Sequence, residues 1–347
     1  MPSVQERDVI RTIRQVKDPD SDKDLISLGR VKELTVRGGD VAFKVLVDPA
    51  RPLSETVLKD LRGLLEGLEG VETVAISLQQ QSGVAAGPAK RPAPAQPIPG
   101  VAHILAVASG KGGVGKSTVA VNLALAMAAE GNRVGILDAD IYGPSLPTML
   151  GLKGVQPTVV EKRIQPIEKY GVRVMSLGFL VEEDTPMVWR GPMVHSAVTQ
   201  FLREVDWGGL DWLVVDMPPG TGDAHLTLTQ GVPLDGAVIV TTPQDIALID
   251  ARKGLRMFDK VGTRVLGIVE NMGTFVCPDC GAEHEIFSRG GGRATAERYD
   301  VPFLGTIPLH KDVAPSGDGG DPIVHSRPDS PIAERFREIA RRVLSGV

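Results

Sequence analysis

The chain has 347 residues, 38 lysines plus arginines against 43 aspartates plus glutamates, and a formal net charge of −5. That length allows two to three domains, and that charge argues against a protein held on nucleic acid by bulk positive charge. Aromatics at 4% leave the core to Val, Leu, Ile and Ala, and the two cysteines, Cys277 and Cys280, are too few to staple a chain of this size, which excludes a disulfide scaffold. The first residues, MPSVQERDVI, are charged at once, and no run of about 18 apolar residues follows. A cytoplasmic protein is expected, with no membrane and no nucleic acid as partner.

Residues 1–81 read as a small α+β domain. Val4–Val16 places Val9, Ile10, Ile13 and Val16 at helical spacing. Ile26–Thr35 and Val41–Val47 alternate like strands around a Gly38-Gly39-Asp40 hairpin turn. Ser54–Leu68 is helical, with Leu58, Leu61, Leu64, Leu65 and Leu68 on one side, and Val71–Leu78 is a last strand. Residues 82–100, SGVAAGPAKRPAPAQPIPG, hold five prolines and five alanines, a composition that extends rather than packs and predicts a linker.

Residues 101–347 alternate strand and helix. The predicted strands are Ile104–Ala108, Val134–Leu137, Val172–Leu177, Leu213–Val215, Ala237–Val240, Val265–Val269 and Phe303–Ile307, and Val119–Ala129 is an Ala- and Leu-rich helix. Short, wholly apolar strands between helices predict a doubly wound, mostly parallel α/β sheet covered on both faces. Near the C-terminus Pro331–Leu344 sets Ile332, Phe336, Ile339, Ala340 and Val343 at helical spacing among arginines. That pattern fits a helix packed on its domain or one lying on a membrane surface.

Between the first of these strands and its helix stands Gly110-Lys111-Gly112-Gly113-Val114-Gly115-Lys116-Ser117-Thr118, a G-x-x-x-x-G-K-[ST] phosphate loop. Its glycines let backbone N–H groups turn around phosphate oxygens, and the helix that follows adds its positive end. Lys116 is assigned to the β- and γ-phosphates, the Ser117 hydroxyl to Mg²⁺ and Thr118 to the α-phosphate. Phosphate chemistry also needs carboxylates at strand ends. Leu213–Val215 runs into Asp216, a Mg²⁺ ligand directly or through water, and the glycines Gly220 and Gly222 beyond it sense the γ-phosphate. Val134–Leu137 runs into Asp138-Ala139-Asp140, where Asp140 is expected to orient or deprotonate the attacking water or to hold a metal-bound water. Asn271, just past Val265–Val269, carries an amide able to pair with an adenine edge, which favours ATP over GTP.

Cys277-Pro278-Asp279-Cys280 is a C-x-x-C pair. By itself it fits a redox pair, half a zinc site with His284 nearby, or half a cluster site. Two chains related by a two-fold axis would bring four thiolates together, enough for one zinc ion or an iron–sulfur cluster.

The ordered segments KGGVGKST at Lys111–Thr118, DADIYGPS at Asp138–Ser145, WRGPM at Trp189–Met193, VVDMPPGTGD at Val214–Asp223, TTPQ at Thr241–Gln244 and CPDC at Cys277–Cys280 resemble the Mrp/ApbC family of ATP-binding iron–sulfur cluster carriers. Lys111 resembles the early lysine of the dimeric P-loop ATPases, which include MinD and ParA; the resemblance implies that it reaches the nucleotide on the facing subunit. The N-terminal domain resembles one found in iron–sulfur assembly proteins, although here it has no cysteine. The resemblance implies a homodimer holding a labile 4Fe-4S cluster through Cys277 and Cys280 of each chain. The cluster is received from an assembly scaffold and passed to client apo-proteins under slow ATP hydrolysis. Two other readings stay open: a MinD/ParA-like positioning ATPase and a zinc-bridged dimeric ATPase.

Overall fold

A computed structural model describes residues 4–17, 24–28, 30–47, 55–80, 96–140, 143–179, 191–220, 225, 228–229, 231–277, 279–288 and 290–346. The chain divides into two compact units, Met1–Arg91 and Pro92–Val347. Of the predicted linker, 82–95 lies outside the described residues; at its far end Ile98 is buried in the core of the second unit.

The first unit runs α1 (Glu6–Ile13), β1 (Val31–Arg37), β2 (Asp40–Val47), α2 (Glu55–Glu66) and β3 (Thr73–Gln80). The strands form a sheet in the order β1-β2-β3. β1 and β2 are antiparallel, with Arg37 opposite Asp40, so the hairpin turns on Gly38-Gly39, and Gly38 takes the positive φ of 61° that such a turn requires. β2 and β3 are parallel, and α2 is the crossover that parallel pairing demands. Val9, Ile13, Leu25, Val41, Phe43, Val45, Leu61 and Leu65 are the buried core.

Two details differ from the sequence reading. The first strand begins at Val31 rather than Ile26, because the Asp24 carboxylate accepts hydrogen bonds from the N–H groups of Ile26 (3.1 Å) and Ser27 (2.8 Å) and locks that stretch as a turn. On α2 the buried stripe is Val57, Leu61 and Leu65, spaced by four residues; Leu58 is half-buried and Leu64 is exposed.

The second unit opens with β4 (Val101–Ser109), α3 (Lys116–Ala129), β5 (Val134–Asp138), α4 (Leu146–Met149), the small hairpin β6 (Val159–Val160) and β7 (Arg163–Ile164), β8 (Ile167–Lys169) and β9 (Val172–Ser176). It continues through α5 (Gly191–Glu204), β10 (Leu210–Asp216), β11 (Gly236–Thr241), α6 (Asp245–Lys260), β12 (Val265–Val276) and β13 (Glu283–His284). It closes with α7 (Gly291–Arg298), β14 (Phe303–Leu309), α8 (Val313–Asp318), α9 (Ile323–Ser326) and α10 (Pro331–Leu344). Among the described residues the main sheet has the order β13-β12-β11-β4-β10-β5-β9-β8, with β14 also on β12. β14, β12, β11, β4, β10, β5 and β9 are parallel, and β8 and β13 are antiparallel additions. The chain leaves β4 in one direction for β5 and later returns to its other side with β11. The crevice beyond the carboxyl end of β4 is therefore a topological switch point, where open α/β sheets bind ligands.

α3 is apolar on every side, with Val119, Ala120, Val121, Leu123, Ala124, Leu125, Ala126 and Met127 all buried, as befits a helix enclosed between the sheet and α10. α10 buries Ile332, Ala333, Phe336, Ile339, Ala340 and Val343, while Arg337 and Arg341 pair with Glu334 on its outer side. Its apolar stripe is thus taken up by packing on the domain rather than offered to a membrane surface. No helix among the described residues is long and apolar enough to cross a membrane.

Phe336 is fully buried, so Phe336→Ala should destabilise the second unit by about 3–5 kcal/mol, whereas Arg341→Ala, at exposed pairs with Glu334 and Glu130, should leave it nearly unchanged. All three tryptophans lie in the second unit, so urea unfolding followed by tryptophan fluorescence reads that unit by itself.

Candidate functional site

β4 ends at Ser109 and the chain turns through 110–115 into α3. Two glycines of this loop are dictated by space. A Cβ on Gly110 would stand 2.1 Å from the backbone carbon of Asp250 on α6. One on Gly115 would stand 2.2 Å from Nδ2 of Asn271, and Gly115 also has a φ of +80°. The loop is pinned to its surroundings by Ser109 Oγ donating to the Lys111 carbonyl (2.9 Å), Gly220 N–H to the Ser109 carbonyl (3.1 Å) and Asn271 Nδ2 to the Val114 carbonyl (2.9 Å). The first N–H groups of α3 have no helical acceptor, so they and the helix dipole present positive potential to the crevice.

Lys116 opens α3 and points across to β10, where Nζ donates to Asp216 Oδ1 at 2.6 Å and to Ser117 Oγ at 3.2 Å. Both ends of the ion pair are buried. The second oxygen, Asp216 Oδ2, is buried with no hydrogen-bond partner among the described residues. An anionic oxygen left in this way fits a divalent cation or its bound water. Strand register places Asp138 of β5 directly beside Asp216. Asp138 is fully buried and accepts from the N–H groups of Asp140 (3.1 Å), Ser145 (3.0 Å) and Leu146 (3.2 Å) and from Ser176 Oγ (3.0 Å). Burial, and then the neighbouring Asp216 charge, push its carboxyl up to about 7. Asp138 thereby shapes the turn that carries Asp140 to the crevice. The sequence reading assigned it no part; its signal was its place as the last residue of an apolar strand.

The crevice is about 560 Å³. Lys111, Gly112, Gly113, Gly115, Lys116, Ser117 and Thr118 line it together with Asp140 and Pro219. Its far wall is α8, through Val313, Ala314, Gly317 and Asp318. No motif marked α8; its place at the carboxyl end of β14 was the available sign. Behind Asp216, His225 is buried and its Nε2 lies 2.6 Å from the Pro218 carbonyl, while burial holds its pKa below the ordinary imidazole value. It too went unmarked. Gly222 lies outside the described residues, as do Trp189 and Arg190.

Asn271 and the cysteines stand apart from the crevice lining. Asn271, read from the sequence as a partner for an adenine edge, is buried behind the loop and braces it with its amide on the Val114 carbonyl. β12 continues well past the predicted Val269, because β14 and β13 give it partners as far as Val276. Cys277 follows at once. Its N–H donates to the Ala282 carbonyl (2.9 Å) and its carbonyl accepts from Gly281 N–H (2.9 Å), a tight knuckle with Cys280 exposed at its tip. The Cys280 and Asp279 N–H groups and then the Cys280 thiol draw the Cys277 thiol below its ordinary pKa. His284 faces Phe275 across the β12–β13 pair, and among the described residues no third His, Cys, Asp or Glu completes a metal-holding group within one chain.

A family model described as NUBPL iron-transfer P-loop NTPase matches residues 100–344, and one described as iron-sulfur cluster assembly protein matches residues 6–78. The iron-sulfur cluster carrier protein of Synechocystis sp. is 46% identical over 346 residues, spanning 98% of this chain and 97% of that one. That of Escherichia coli is 55% identical over 249 residues, 72% of this chain and 68% of that one. Among solved structures, a nucleotide-binding protein from Archaeoglobus fulgidus in complex with ADP is 41% identical with a TM-score of 0.57, over 63% of this chain and 87% of that one. The cell division ATPase MinD of Pyrococcus furiosus is 26% identical with a TM-score of 0.53, over 70% and 98%.

Gly115→Ala should weaken nucleotide binding at least about tenfold, since the left-handed backbone and the Asn271 amide both oppose a side chain there; titration with a fluorescent nucleotide measures it. Asp138 releases its proton at higher pH folded than unfolded, so in the nucleotide-free protein this group makes stability fall as pH rises from about 4 to about 7. Asp138→Asn should flatten that dependence in urea midpoints taken at pH 5 and pH 7.

Proposed function

The chain belongs to the NUBPL iron-transfer P-loop NTPase family, and on that premise we propose that it is an ATP-hydrolysing carrier of a labile 4Fe-4S cluster, held between two copies of the chain and passed to apo-proteins. Nucleotide hydrolysis is the reaction that goes with the family, and relatives bear the name iron-sulfur cluster carrier protein.

In this reading the loop from Gly110 to Thr118 wraps the phosphates with backbone N–H groups. Lys116 would turn from Asp216 to the β- and γ-phosphates, and Asp216 with Ser117 would hold Mg²⁺, for which Asp216 Oδ2, without a hydrogen-bond partner among the described residues, is suited. Asp140, at the mouth of the crevice, orients the attacking water. Lys111, on the rim, adds a positive charge toward the nucleotide of a facing copy. The cluster is cargo. Each chain offers two thiols, one already drawn toward thiolate, and four from two chains satisfy its irons.

The observation that carries the reading is the path of β12. Asn271 on this strand braces the phosphate loop through Val114, and the same strand ends in Cys277. Between them the pairing with β14 slips at Asn271/Phe275, and Met272 has a positive φ of 57°. A loop that tightens on nucleotide pulls on Asn271 and, through this kinked strand, on the cysteine knuckle. Nucleotide state and cluster affinity are then two sides of one equilibrium.

Cys280→Ala should abolish the visible absorption of anaerobically reconstituted protein and its stoichiometric iron and sulfide; retention of both would remove the cysteines from the ligand set. Lys116→Ala should lower steady-state ATP hydrolysis by about a hundredfold or more, and undiminished turnover would overturn the assignment of the crevice.

A further inference from the structure

The first unit carries a groove that neither the crevice nor the cysteine knuckle uses. It lies between α2 and β3, has a volume of about 380 Å³ and is lined by Leu58, Lys59, Arg62, Ile76 and Leu78. Register explains its apolar floor. Ile76 lies beside Phe43 and Leu78 beside Val45, so both share the face whose Phe43 and Val45 are buried in the core. α2 covers that face only in part, and Leu78 is left 54% exposed. Leu58 and Arg62, one helical turn apart, form the opposite wall with Lys59 beside them. Lys59 and Arg62 are exposed, and neither has an ion-pair partner among the described residues. Among the described residues β3 is also the last strand of its sheet, with no strand paired to its outer edge.

We propose that this groove docks an extended segment of a partner protein that adds to β3 as a fourth strand and whose every second residue, the set facing α2, is by turns apolar and acidic. Main-chain hydrogen bonds along the edge hold the segment; on the face it turns to α2, apolar side chains cover Leu58, Ile76 and Leu78, and the carboxylates two residues along meet Lys59 and Arg62. The charge excludes the chain's own Pro/Ala-rich stretch as occupant, because 82–100 contains Lys90 and Arg91 and no acidic residue. The inference uses no residue of the nucleotide or cysteine sites and stands apart from the cluster-carrier reading.

The test uses the full chain and a fluorescein-labelled synthetic peptide repeating leucine-serine-glutamate-serine, which sets leucine and glutamate on one face of a strand, followed by fluorescence anisotropy. Controls are the same peptide with lysine for glutamate and one N-methylated at alternate backbone positions. Saturable binding of the acidic peptide is expected, weakened about tenfold or more in the double variant Lys59→Glu/Arg62→Glu and by N-methylation. The double variant should in turn prefer the lysine peptide. Leu78→Ser, at an exposed position that leaves the core intact, should weaken both pairings. ATP hydrolysis should be unchanged in all three proteins. Absence of saturable binding, equal affinity of wild type and double variant, or equal affinity of wild type for acidic and basic peptides would each overturn the groove; indifference to N-methylation would overturn the strand addition.

Discussion

The ion pair between Lys116 and Asp216 is the contact on which the second unit's chemistry depends. Both charges are out of water and 2.6 Å apart, and removing either would leave the other stranded at a cost of about 3–5 kcal/mol. The pair joins the first turn of α3 to the last residue of β10 and so ties the phosphate loop to the central strands, whose ladder sets Asp138 beside Asp216. In the proposed function it is also provisional. Phosphate oxygens would offer Lys116 a stronger set of charge-assisted hydrogen bonds, and a divalent cation would offer Asp216 a replacement charge. The pair would then keep two functional groups aimed until a nucleotide exchanges their partners.

β12 joins this chemistry to the cysteines. Its first half is an inner strand between β11 and β14 with a register shift against each; its second half carries the positive φ of Met272 and ends in a two-residue pairing with β13. A non-glycine residue at positive φ costs on the order of 1 kcal/mol or more, and such strain persists where packing on both sides enforces it. Here the enforcing contacts are the Asn271 amide on the phosphate loop and the β14 ladder. The knuckle holding Cys277 and Cys280 is mounted on a strand whose geometry is shared with the nucleotide site rather than on an independent loop.

Much of this was legible in the residues. The element order of the first unit, the parallel sheet, the phosphate loop and the Asp at the end of β10 follow from local spacing, because apolar period, glycine placement and strand-end carboxylates each act within a few residues. The readings that shifted involve partners far apart in the chain. Asp24 captured its own turn and delayed β1. Asn271 donates to a carbonyl 157 residues away, and α8 became a wall of the crevice only because β14 lies parallel beside β12. The C-terminal stripe favoured a domain face and left a membrane surface open; α3 and β14 cover it.

The sequence by itself determined the chemistry at hand: a phosphate-binding loop with two lysines, carboxylates at strand ends, and two thiols per chain. These are covalent facts and short-range patterns. Only the tertiary structure decided which of these groups face one another: Lys116 on Asp216, Asp138 as the scaffold of the Asp140 turn, Asn271 as a brace, and the cysteines at the far end of the braced strand. Such pairings are set by strand order and register, which depend on burying the whole sheet at once and leave no local mark in the chain.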